Sequence, residues 1–527
     1  MSKQLSTARH QEKIMELLFK MLFSLFLVSF LSSVFYFYFL LWLRPERMRE
    51  KLRRQGITGP QPAFFYGNAL DVKRILAMAA KQDRVEGCSP HDIEYYVFPH
   101  LHTWTDKYGP VFLYSRGNMS VLEVAKPELA RDILLHQSLD IGRPNYIRTY
   151  RGALLGRSII TANGEEWVQH RKIIGPQFYA EKVKSMVDLM EESVLPLLKS
   201  WESRVESGGS ANIRVDQEFK DMSADIISRV SFGSCFAEGK DIFSKLKLLH
   251  KFISQQMILS GIPGVRHLPT RSNREVWRLD EEIKTMIVKV VEKRKGMMAG
   301  NEIDLLQALL DSVTRGDISP DMTHKILVEN SKAIYFAGHE TVSTSASWAM
   351  LLLALYPEWQ IRVRNEVEEI FKSRLPTAEM LEKMKVVKMV ILETLRLYPT
   401  TSFIEREPFK DMKFGDFSLP KGIIISIPVY SLHRSVELWG PDALEFNPER
   451  FANGIRDACK FPELFMPFGL GPRMCLGQNF AITELKIVIS LILSRFKLSL
   501  PPNYVHSAAY RMILEPENEV IVNMKTV

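Results

Sequence analysis

Cysteine is scarce in this chain, with 4 cysteines among 527 residues. Cys88, Cys235, Cys459 and Cys475 lie far apart, and no C-x-x-C or C-x-x-H spacing indicates a zinc site or a redox pair. The fold therefore does not depend on disulfides. This favours a catalytic body on the reducing, cytosolic side of a membrane.

Other absences narrow the class of function. No G-x-G-x-x-G dinucleotide fingerprint is present, so we do not expect NADPH to bind to this chain. No zinc finger, RRM-like aromatic motif or basic helix of the bZIP kind is present, so the formal net charge of +8 predicts an anionic membrane or an acidic protein partner, and no nucleic acid. The 46% hydrophobic and 25% charged residues are ordinary for a globular protein.

One long apolar run lies near the N-terminus. Residues 21–43 carry no charge and are dominated by Leu, Phe and Val. As a helix, this run spans about 34 Å, enough to cross a hydrocarbon core of about 30 Å. It is too long and too uniformly apolar for most core helices, and no small-residue cleavage site follows it. The run therefore predicts a membrane anchor and disfavours a core helix or a signal peptide.

The charges on either side of the anchor predict its orientation. Cations crowd residues 44–54 and are sparser over residues 1–20, so the positive-inside rule leaves the rest of the chain in the cytosol. Glycine and proline exclude a helix from residues 55–68. We therefore divide the chain into four parts: a lumenal N-terminus (1–20), the anchor (21–43), a basic, Pro- and Gly-containing connector (44–68) and a catalytic domain (69–527).

The catalytic region has mainly helical hydrophobic patterns. Apolar residues recur at three- and four-residue spacings in four long segments: 129–137, 180–205, 275–295 and 322–356. Strand patterns are confined to residues 111–116 and 411–430. Residues 207–212 and 271–275 are predicted to be loops. The expected fold is mainly α-helical with small β-sheets.

The segment FMPFGLGPRMCLG, residues 465–477, carries the strongest chemical signal. Gly469, Gly471 and Gly477 let the backbone turn tightly and approach a flat group. Cys475 precedes an apolar run that predicts a helix, whose N-terminal dipole favours a thiolate. A thiolate with no second ligand nearby suits an axial ligand to haem iron. A glycine-rich turn with an incidental cysteine explains this segment by itself about as well.

The surrounding pattern, F-G-x-G-x-R-x-C-x-G, resembles the haem-binding loop of the cytochrome P450 monooxygenases. The resemblance runs through most of the chain, and it is closest to the plant membrane-bound branch that contains gibberellin-modifying and other terpenoid oxidases. It implies the P450 fold and haem b with Cys475 as the axial iron ligand. It also implies that Phe468 and Gly469 belong to the haem-binding loop.

A glutamate and an arginine in ETLRLYP are placed to form an ion pair. Glu393 and Arg396 share one face of a helix that Pro399 ends. A surface ion pair is the simplest interpretation, but the preceding apolar residues favour a pair that points inward. The resemblance adds Arg450 as the third member of a buried, structural cluster.

Further matches to the family concern the two faces of the haem. Trp167 and Arg171 lie one helical turn apart, a spacing that is also found on solvated helix faces. The resemblance assigns this pair, with Arg406 and Arg473, to the haem propionates. It also identifies Glu340 and Thr341 as the acid–alcohol pair that relays protons, and it implies a local kink in their helix.

The function implied by the resemblance is that of a monooxygenase. It would hydroxylate or epoxidise a lipophilic small molecule, most simply a terpenoid such as a gibberellin, with O2 and with electrons from NADPH through a separate NADPH–cytochrome P450 reductase. We expect a monomeric, single-pass protein of the endoplasmic reticulum membrane. Alternatives are a haem-thiolate isomerase or dehydratase acting on lipid peroxides, a non-enzymatic haem carrier or sensor, or oxidation of a fatty acid, steroid or triterpenoid.

Two segments are expected to shape the substrate site. Thr400, Thr401 and Ser402 stand where the family often has a second proline, and one of these hydroxyls is hypothesised to contact a polar group of the substrate. A turn with polar residues facing water explains the same residues equally well. Residues 250–265 form the second segment.

Overall fold

The structure is a computed structural model that describes residues 2–80, 91–233, 236–256, 264–295, 305–314 and 320–527. Cys88, Cys235 and residues 257–263, part of the second expected substrate segment, lie outside the described residues. All other features predicted from the sequence lie wholly or largely within the described residues.

A single long helical segment begins the chain. The α-helix Ser2–Tyr38 continues through a π-helical turn, Phe39–Leu43, into the α-helix Arg44–Arg53. Residues 14–53 include an 18-residue window with a mean hydropathy of 2.1 and no buried residues, which makes the helix a candidate membrane span. It extends beyond the predicted anchor because Glu46 accepts hydrogen bonds from Arg49 and Arg53, which stabilises a further helical turn.

Helices form most of the catalytic body. Their bounds are Ala69–Ala79, Ile93–Val97, Pro99–Tyr108, Pro127–Leu135, Asn145–Tyr150, Gly152–Leu155, Gly164–Ile174, Ala180–Lys184, Val187–Glu206, Val215–Phe232, Phe236–Gln255, Arg271–Lys295, Leu305–Thr314, Pro320–Leu355, Pro357–Phe371, Ala378–Lys383, Val386–Leu397, Val429–Leu432, Val436–Trp439, Ile455–Ala458 and Gln478–Leu493. We call Pro320–Leu355 the central helix and Gln478–Leu493 the C-terminal helix. The mainly helical fold with small sheets is confirmed.

The described strands form four small sheets. The largest has five strands in the order Val111–Arg116, Met119–Val124, Ile424–Pro428, Phe403–Pro408 and Ile141–Gly142. A three-stranded sheet has the order Ala211–Arg214, Ile521–Thr526 and Phe496–Ser499. Two hairpins complete the set: Met412–Phe414 with Phe417–Leu419, and Ala508–Arg511 with Ile513–Pro516. The strand pattern predicted at 111–116 is confirmed, and three strands lie within 411–430.

The loop predicted at 271–275 is wrong, and the loop predicted at 207–212 is partly wrong. Residues 271–275 form the first turns of the helix Arg271–Lys295. The Thr270 hydroxyl accepts the backbone N–H of Asn273 at 3.2 Å, so these polar residues belong to a capped helix start. Residues 207–212 form a turn only as far as Ser210, because Ala211 begins a strand that pairs with the C-terminal strand.

The central helix runs through the core and packs against the helix Val215–Phe232 and the C-terminal helix. Gly338 permits the first contact, since a Cβ atom there would lie 2.7 Å from the Cδ1 atom of Ile227. The central helix is continuous from Pro320 to Leu355, so the kink implied by the family resemblance does not break it. Gly338 therefore serves close helix packing.

The predicted ion-pair cluster is buried. Glu393 and Arg396 are fully buried and form two hydrogen bonds, of 2.6 and 2.8 Å. Arg450 lies 3.7 Å from Glu393, but its shorter ion pair is with Asp442, at 2.8 Å. Arg396 also donates to three backbone carbonyls of residues 433–445. The cluster therefore joins the helix Val386–Leu397 to the segment that leads to the cysteine.

Candidate active site

One large cavity brings together every site residue that the sequence predicts. Its volume is about 1810 Å³. Residues 465–477, which we call the cysteine loop, form one wall, and the central helix forms the opposite wall. The predicted residues lining the cavity are Trp167, Arg171, Glu340, Thr341, Arg406, Phe468, Gly469, Arg473 and Cys475.

The cysteine loop is a tight turn held by its own backbone. The Cys475 N–H donates to the Phe468 carbonyl at 2.8 Å. Gly469 and Gly471 have φ angles of 78° and 74°, in the region that favours glycine. A Cβ atom on Gly471 would lie 2.1 Å from the backbone oxygen of Leu134. The loop therefore packs against the chain behind it and leaves its cavity face open.

Replacing Gly471 with alanine should disrupt this loop. The variant combines an unfavourable φ with a clash against backbone, so we expect a lower melting temperature and loss of most bound haem. Gly454 is the matched control, because its φ is also positive, at 89°, yet a Cβ atom there meets nothing within 4 Å. Gly454→Ala should cost about 1 kcal/mol and retain haem. Equal haem content in the two variants would contradict this account of the loop.

The Cys475 side chain is exposed to the cavity while protein atoms surround it on the other sides. Burial raises the pKa of its thiol, and the Gly477 backbone N–H and the guanidinium groups of Arg171 and Arg143 lower it by less. The N–H at the start of the C-terminal helix therefore favours a thiolate, as the sequence predicts, but burial outweighs it in the metal-free residue. A coordinated metal ion deprotonates a thiol outright, so iron binding supplies what the dipole does not.

Three guanidinium groups meet at the cavity wall without forming an ion pair with any described carboxylate. Burial and the nearby charges of Arg143 and Arg473 hold the pKa of Arg406 far below its ordinary value. Burial, Arg143 and Arg171 lower the pKa of Arg473 to about 9. Such mutual repulsion is relieved when an anion binds among them. Two haem propionates meet that requirement.

Two of the predicted propionate ligands also brace the cysteine loop. The guanidinium groups of Arg473 and Arg171 lie 4.6 and 5.7 Å from the centre of the Trp167 ring. Arg171 donates to the Met474 carbonyl at 3.0 Å, and Arg473 donates to the Ala162 carbonyl at 3.0 Å. Trp167 therefore packs directly on the arginines that would face the haem.

The acid–alcohol pair lies on the other wall. The Thr341 hydroxyl donates to the Ala337 carbonyl at 2.7 Å. Burial alone would raise the pKa of Glu340, but the charges of His339 and Lys220 lower it to about 2. Because the pKa of His339 is itself about 4, Lys220 is the charged partner at neutral pH; its Nζ lies 3.2 Å from Oε2 of Glu340. Glu340 is therefore ionised in the resting site.

The cavity also holds charged residues that the sequence did not predict, among them Arg143 and Lys220. Arg143 stands beside Pro144 in the segment that enters the helix Asn145–Tyr150, and Lys220 lies on the helix Val215–Phe232. Neither has a fixed spacing to the cysteine loop or to the acid–alcohol pair. Only the tertiary fold brings them to the cavity.

Comparisons with known proteins agree with this geometry. The family model described as Cytochrome P450 matches residues 97–524. Cytochrome P450 714C2 of Oryza sativa subsp. japonica is 46% identical over 487 residues, which cover 91% of this chain and 93% of that protein. Cytochrome P450 714B3 of Zea mays is 42% identical over 516 residues, or 96% of each chain. Cytochrome P450 714A2 of Arabidopsis thaliana is 38% identical over 489 residues, which cover 91% of this chain and 93% of that protein.

The cavity passes a physical test for haem. The glycine turn leaves the cavity face of the loop open, the Cys475 thiol faces the cavity, and the wall holds buried cations that an anion would stabilise. The relatives match nearly the full length, so the similarity includes both walls of the cavity. The chain therefore belongs to the cytochrome P450 family, and it is a monooxygenase that holds haem through a cysteine thiolate.

Proposed function

We propose that this enzyme oxidises a lipophilic terpenoid, such as a gibberellin, by hydroxylation or epoxidation. Members of the family use O2 and electrons from a redox partner; here we propose an NADPH–cytochrome P450 reductase. The observation that carries the proposal is the cavity itself, which is large and walled mainly by aliphatic and aromatic side chains. Examples are Leu101, Ile147, Leu155, Phe336, Val342, Met512 and Ile513.

The N-terminal helix supports a proposal for the location of the protein. We propose that residues 21–43 span the endoplasmic reticulum membrane, with residues 1–20 in the lumen and the connector and catalytic domain, 44–68 and 69–527, in the cytosol. The helix is long and apolar enough, and its cations are concentrated after the span. The chain is proposed to act as a monomer.

The mechanism assigns separate tasks to the two walls of the cavity. Bound through Cys475, haem supplies the activation of O2 and the oxidation. Arg406 and Arg473 bind and orient its propionates. On the opposite wall, Thr341 would hold a hydroxyl, and Glu340 would deliver protons. Because Glu340 is ionised beside Lys220, it must take up a proton before it can pass one on.

The Lys220–Glu340 ion pair should make stability depend on pH. A folded pKa of about 2 for Glu340, against its ordinary 4.5, stabilises the fold above pH 4.5, and this contribution is lost as the pH falls toward 2. Lys220→Met should therefore be less stable than wild type at pH 7, and the difference should shrink below pH 4.5. Urea unfolding at several pH values measures the free energy of unfolding of both proteins. Lys247→Met is the control, since Lys247 lines the same cavity but pairs with the Gln217 amide. A difference in stability between wild type and Lys220→Met that does not change with pH would contradict the Lys220–Glu340 ion pair.

Replacing Thr341 with alanine should uncouple oxygen activation from substrate oxidation. Without the hydroxyl, we expect product formation to fall about tenfold or more while NADPH consumption continues and hydrogen peroxide accumulates. Ser343→Ala is the matched control, because Ser343 makes the same kind of bond, to the His339 carbonyl at 2.7 Å, but is buried away from the cavity. Unchanged product per NADPH in the Thr341 variant would exclude its role in the relay.

The hydroxyls that follow Pro399 are not equivalent. Ser402 is 1% exposed and donates to the Pro399 carbonyl, and Thr400 is 7% exposed. All three residues line the cavity, but Thr401 is the exposed one among them. We propose that Thr401 is the one that meets a polar group of the substrate, and that Thr401→Val, unlike Ser402→Ala, changes substrate affinity or product position.

The function is tested with full-length protein, reductase and a panel of terpenoids, steroids and fatty acids. Substrate binding is read from shifts of the haem absorption band, and turnover is read from NADPH- and reductase-dependent product. Oxidation of a terpenoid in preference to the other classes supports the proposal. Turnover of a lipid hydroperoxide without reductase or O2 would favour an isomerase or dehydratase instead.

A further inference from the structure

A chain of aromatic and imidazole side chains lies directly behind the cavity wall. It begins at Trp348 on the central helix, one turn after Ser345, which lines the cavity. The Trp348 ring stacks on the Tyr398 ring, with 3.9 Å between ring centres and 13° between ring planes. Both side chains are fully buried, and Tyr398 lies two residues before Thr400, another residue of the cavity wall. Two oxidisable rings are therefore in contact behind the wall of the site that would hold the haem.

Hydrogen bonds extend this stack toward the solvent. The Tyr398 hydroxyl lies 2.5 Å from Nε2 of His506, and Nδ1 of His506 lies 2.7 Å from the Tyr504 hydroxyl. His506 is buried, whereas Tyr504 is half-buried and its neighbour Val505 is exposed. A neutral imidazole has one donor and one acceptor nitrogen, so His506 can accept a proton from Tyr398 at Nε2 and release its Nδ1 proton to Tyr504. These contacts give a buried phenol a path for its proton to the surface.

A second imidazole on the other side of Tyr398 stays neutral. Nδ1 of His91 lies 2.6 Å from the Tyr398 hydroxyl, and burial, with the neighbouring His506 and Arg434, lowers the pKa of His91 to about 3. The Arg434 guanidinium also lies 5.7 Å from the centre of the Tyr398 ring. A positive charge there disfavours another one on the ring, so Tyr398 must release its proton when it loses an electron. His506 is the neighbour that can take that proton.

We propose that Trp348, Tyr398 and His506 form a relay that returns electrons to the haem when it is oxidised without a substrate in place. Hydrogen peroxide takes two electrons from the haem site and leaves as water. In each passage of the relay, Trp348 gives one electron to the haem site and recovers it from Tyr398, while the phenolic proton moves through His506 and Tyr504 to solvent. Two passages supply the two electrons and two protons that convert one peroxide into two water molecules. After each passage, a thiol or ascorbate in solution returns one electron and one proton to the Tyr398 radical.

The contacts of Trp348 give the relay its direction. Its indole N–H donates to the Leu514 carbonyl at 3.2 Å, and a carbonyl is too weak a base to take the proton. Oxidised Trp348 therefore keeps its proton and recovers its electron from the stacked Tyr398. Packing alone does not require a buried phenol between two buried imidazoles, since burying their polar atoms costs free energy. The relay would spare Cys475 from irreversible oxidation, and it does not depend on which substrate class the enzyme oxidises.

The test adds hydrogen peroxide to full-length holoenzyme without substrate, freezes the mixture and records its electron paramagnetic resonance spectrum. Wild type should give a tyrosyl radical, identified by a narrower signal in protein grown with ring-deuterated tyrosine, and dithiothreitol should shorten its lifetime. Tyr398→Phe keeps the ring stack but should lose most of this signal, and its haem absorption band should bleach sooner under repeated additions of peroxide. Tyr430→Phe is the matched control and should behave as wild type, since Tyr430 is also buried but stacks on Phe98, at 4.3 Å.

A second variant separates the relay from the packing of Tyr398. Trp348→Phe retains every tyrosine and an aromatic ring in the stack but lacks the easily oxidised indole, so it should also lose most of the tyrosyl signal. The carbon monoxide spectrum checks that each variant holds its haem through the thiolate. Absence of a tyrosyl radical in wild type, or an undiminished signal in either Tyr398→Phe or Trp348→Phe, would overturn the relay.

Discussion

Replacing Cys475 with serine is expected to abolish the strongly red-shifted Soret band of the reduced, carbon-monoxide-bound protein and to remove monooxygenase activity. A hydroxyl cannot supply the electron density that a thiolate gives to the iron. Side-chain volume is nearly conserved and Cys475 faces an open cavity, so the fold should persist. The absorption spectrum and the NADPH-dependent product measure the two effects.

Cys459 provides the matched control for this variant. It is buried and its Sγ atom contacts the Phe461 carbonyl at 3.4 Å, outside the cavity lining. Cys459→Ser should keep both the red-shifted band and turnover. A normal carbon monoxide spectrum in Cys475→Ser would mean that another residue ligates the iron.

Replacing Arg396 with methionine should have the largest effect on stability. Glu393 and Arg396 are both fully buried, so the variant leaves an enclosed carboxylate without its main partner. Arg450 cannot compensate, because it is 3.7 Å away and is already bound to Asp442. Breaking a buried pair in this way costs about 3–5 kcal/mol, which should prevent recovery of folded holoenzyme or lower its melting temperature sharply.

An exposed ion pair separates this effect from simple charge loss. Arg362 contacts Glu449 at 2.7 Å, and their side chains are 45% and 52% exposed. Arg362→Met removes the same charge but should cost less than about 1 kcal/mol. Similar losses of stability in the two variants would show that burial of the Glu393 pair does not matter.

The sequence was most informative where a motif is local. The cysteine loop could be predicted because its glycines, Arg473 and Cys475 lie within a few residues and each has a distinct physical reason. The pair Glu393 and Arg396 was predicted for the same reason, since one helical turn brings the two together.

The sequence was least informative where the fold joins distant segments. Arg143, Lys220 and Arg151 reach the cavity from three elements whose contacts no local pattern specifies. The strand Phe403–Pro408 was missed because FIEREP carries three charged residues, two of which, Glu405 and Arg406, are buried by partners elsewhere in the chain. The helix start favours a Cys475 thiolate as predicted, but no local pattern shows that burial outweighs this effect on the cysteine pKa.

The most direct test of the whole account is the source of oxygen in the product. Full-length protein, reductase and NADPH are incubated under ¹⁸O2 with the compound that gives the largest shift of the haem band. The account predicts one ¹⁸O atom in each hydroxylated or epoxidised product molecule, and no product without reductase. Product that forms without reductase, or that takes its oxygen from water or from a peroxide substrate, would contradict it.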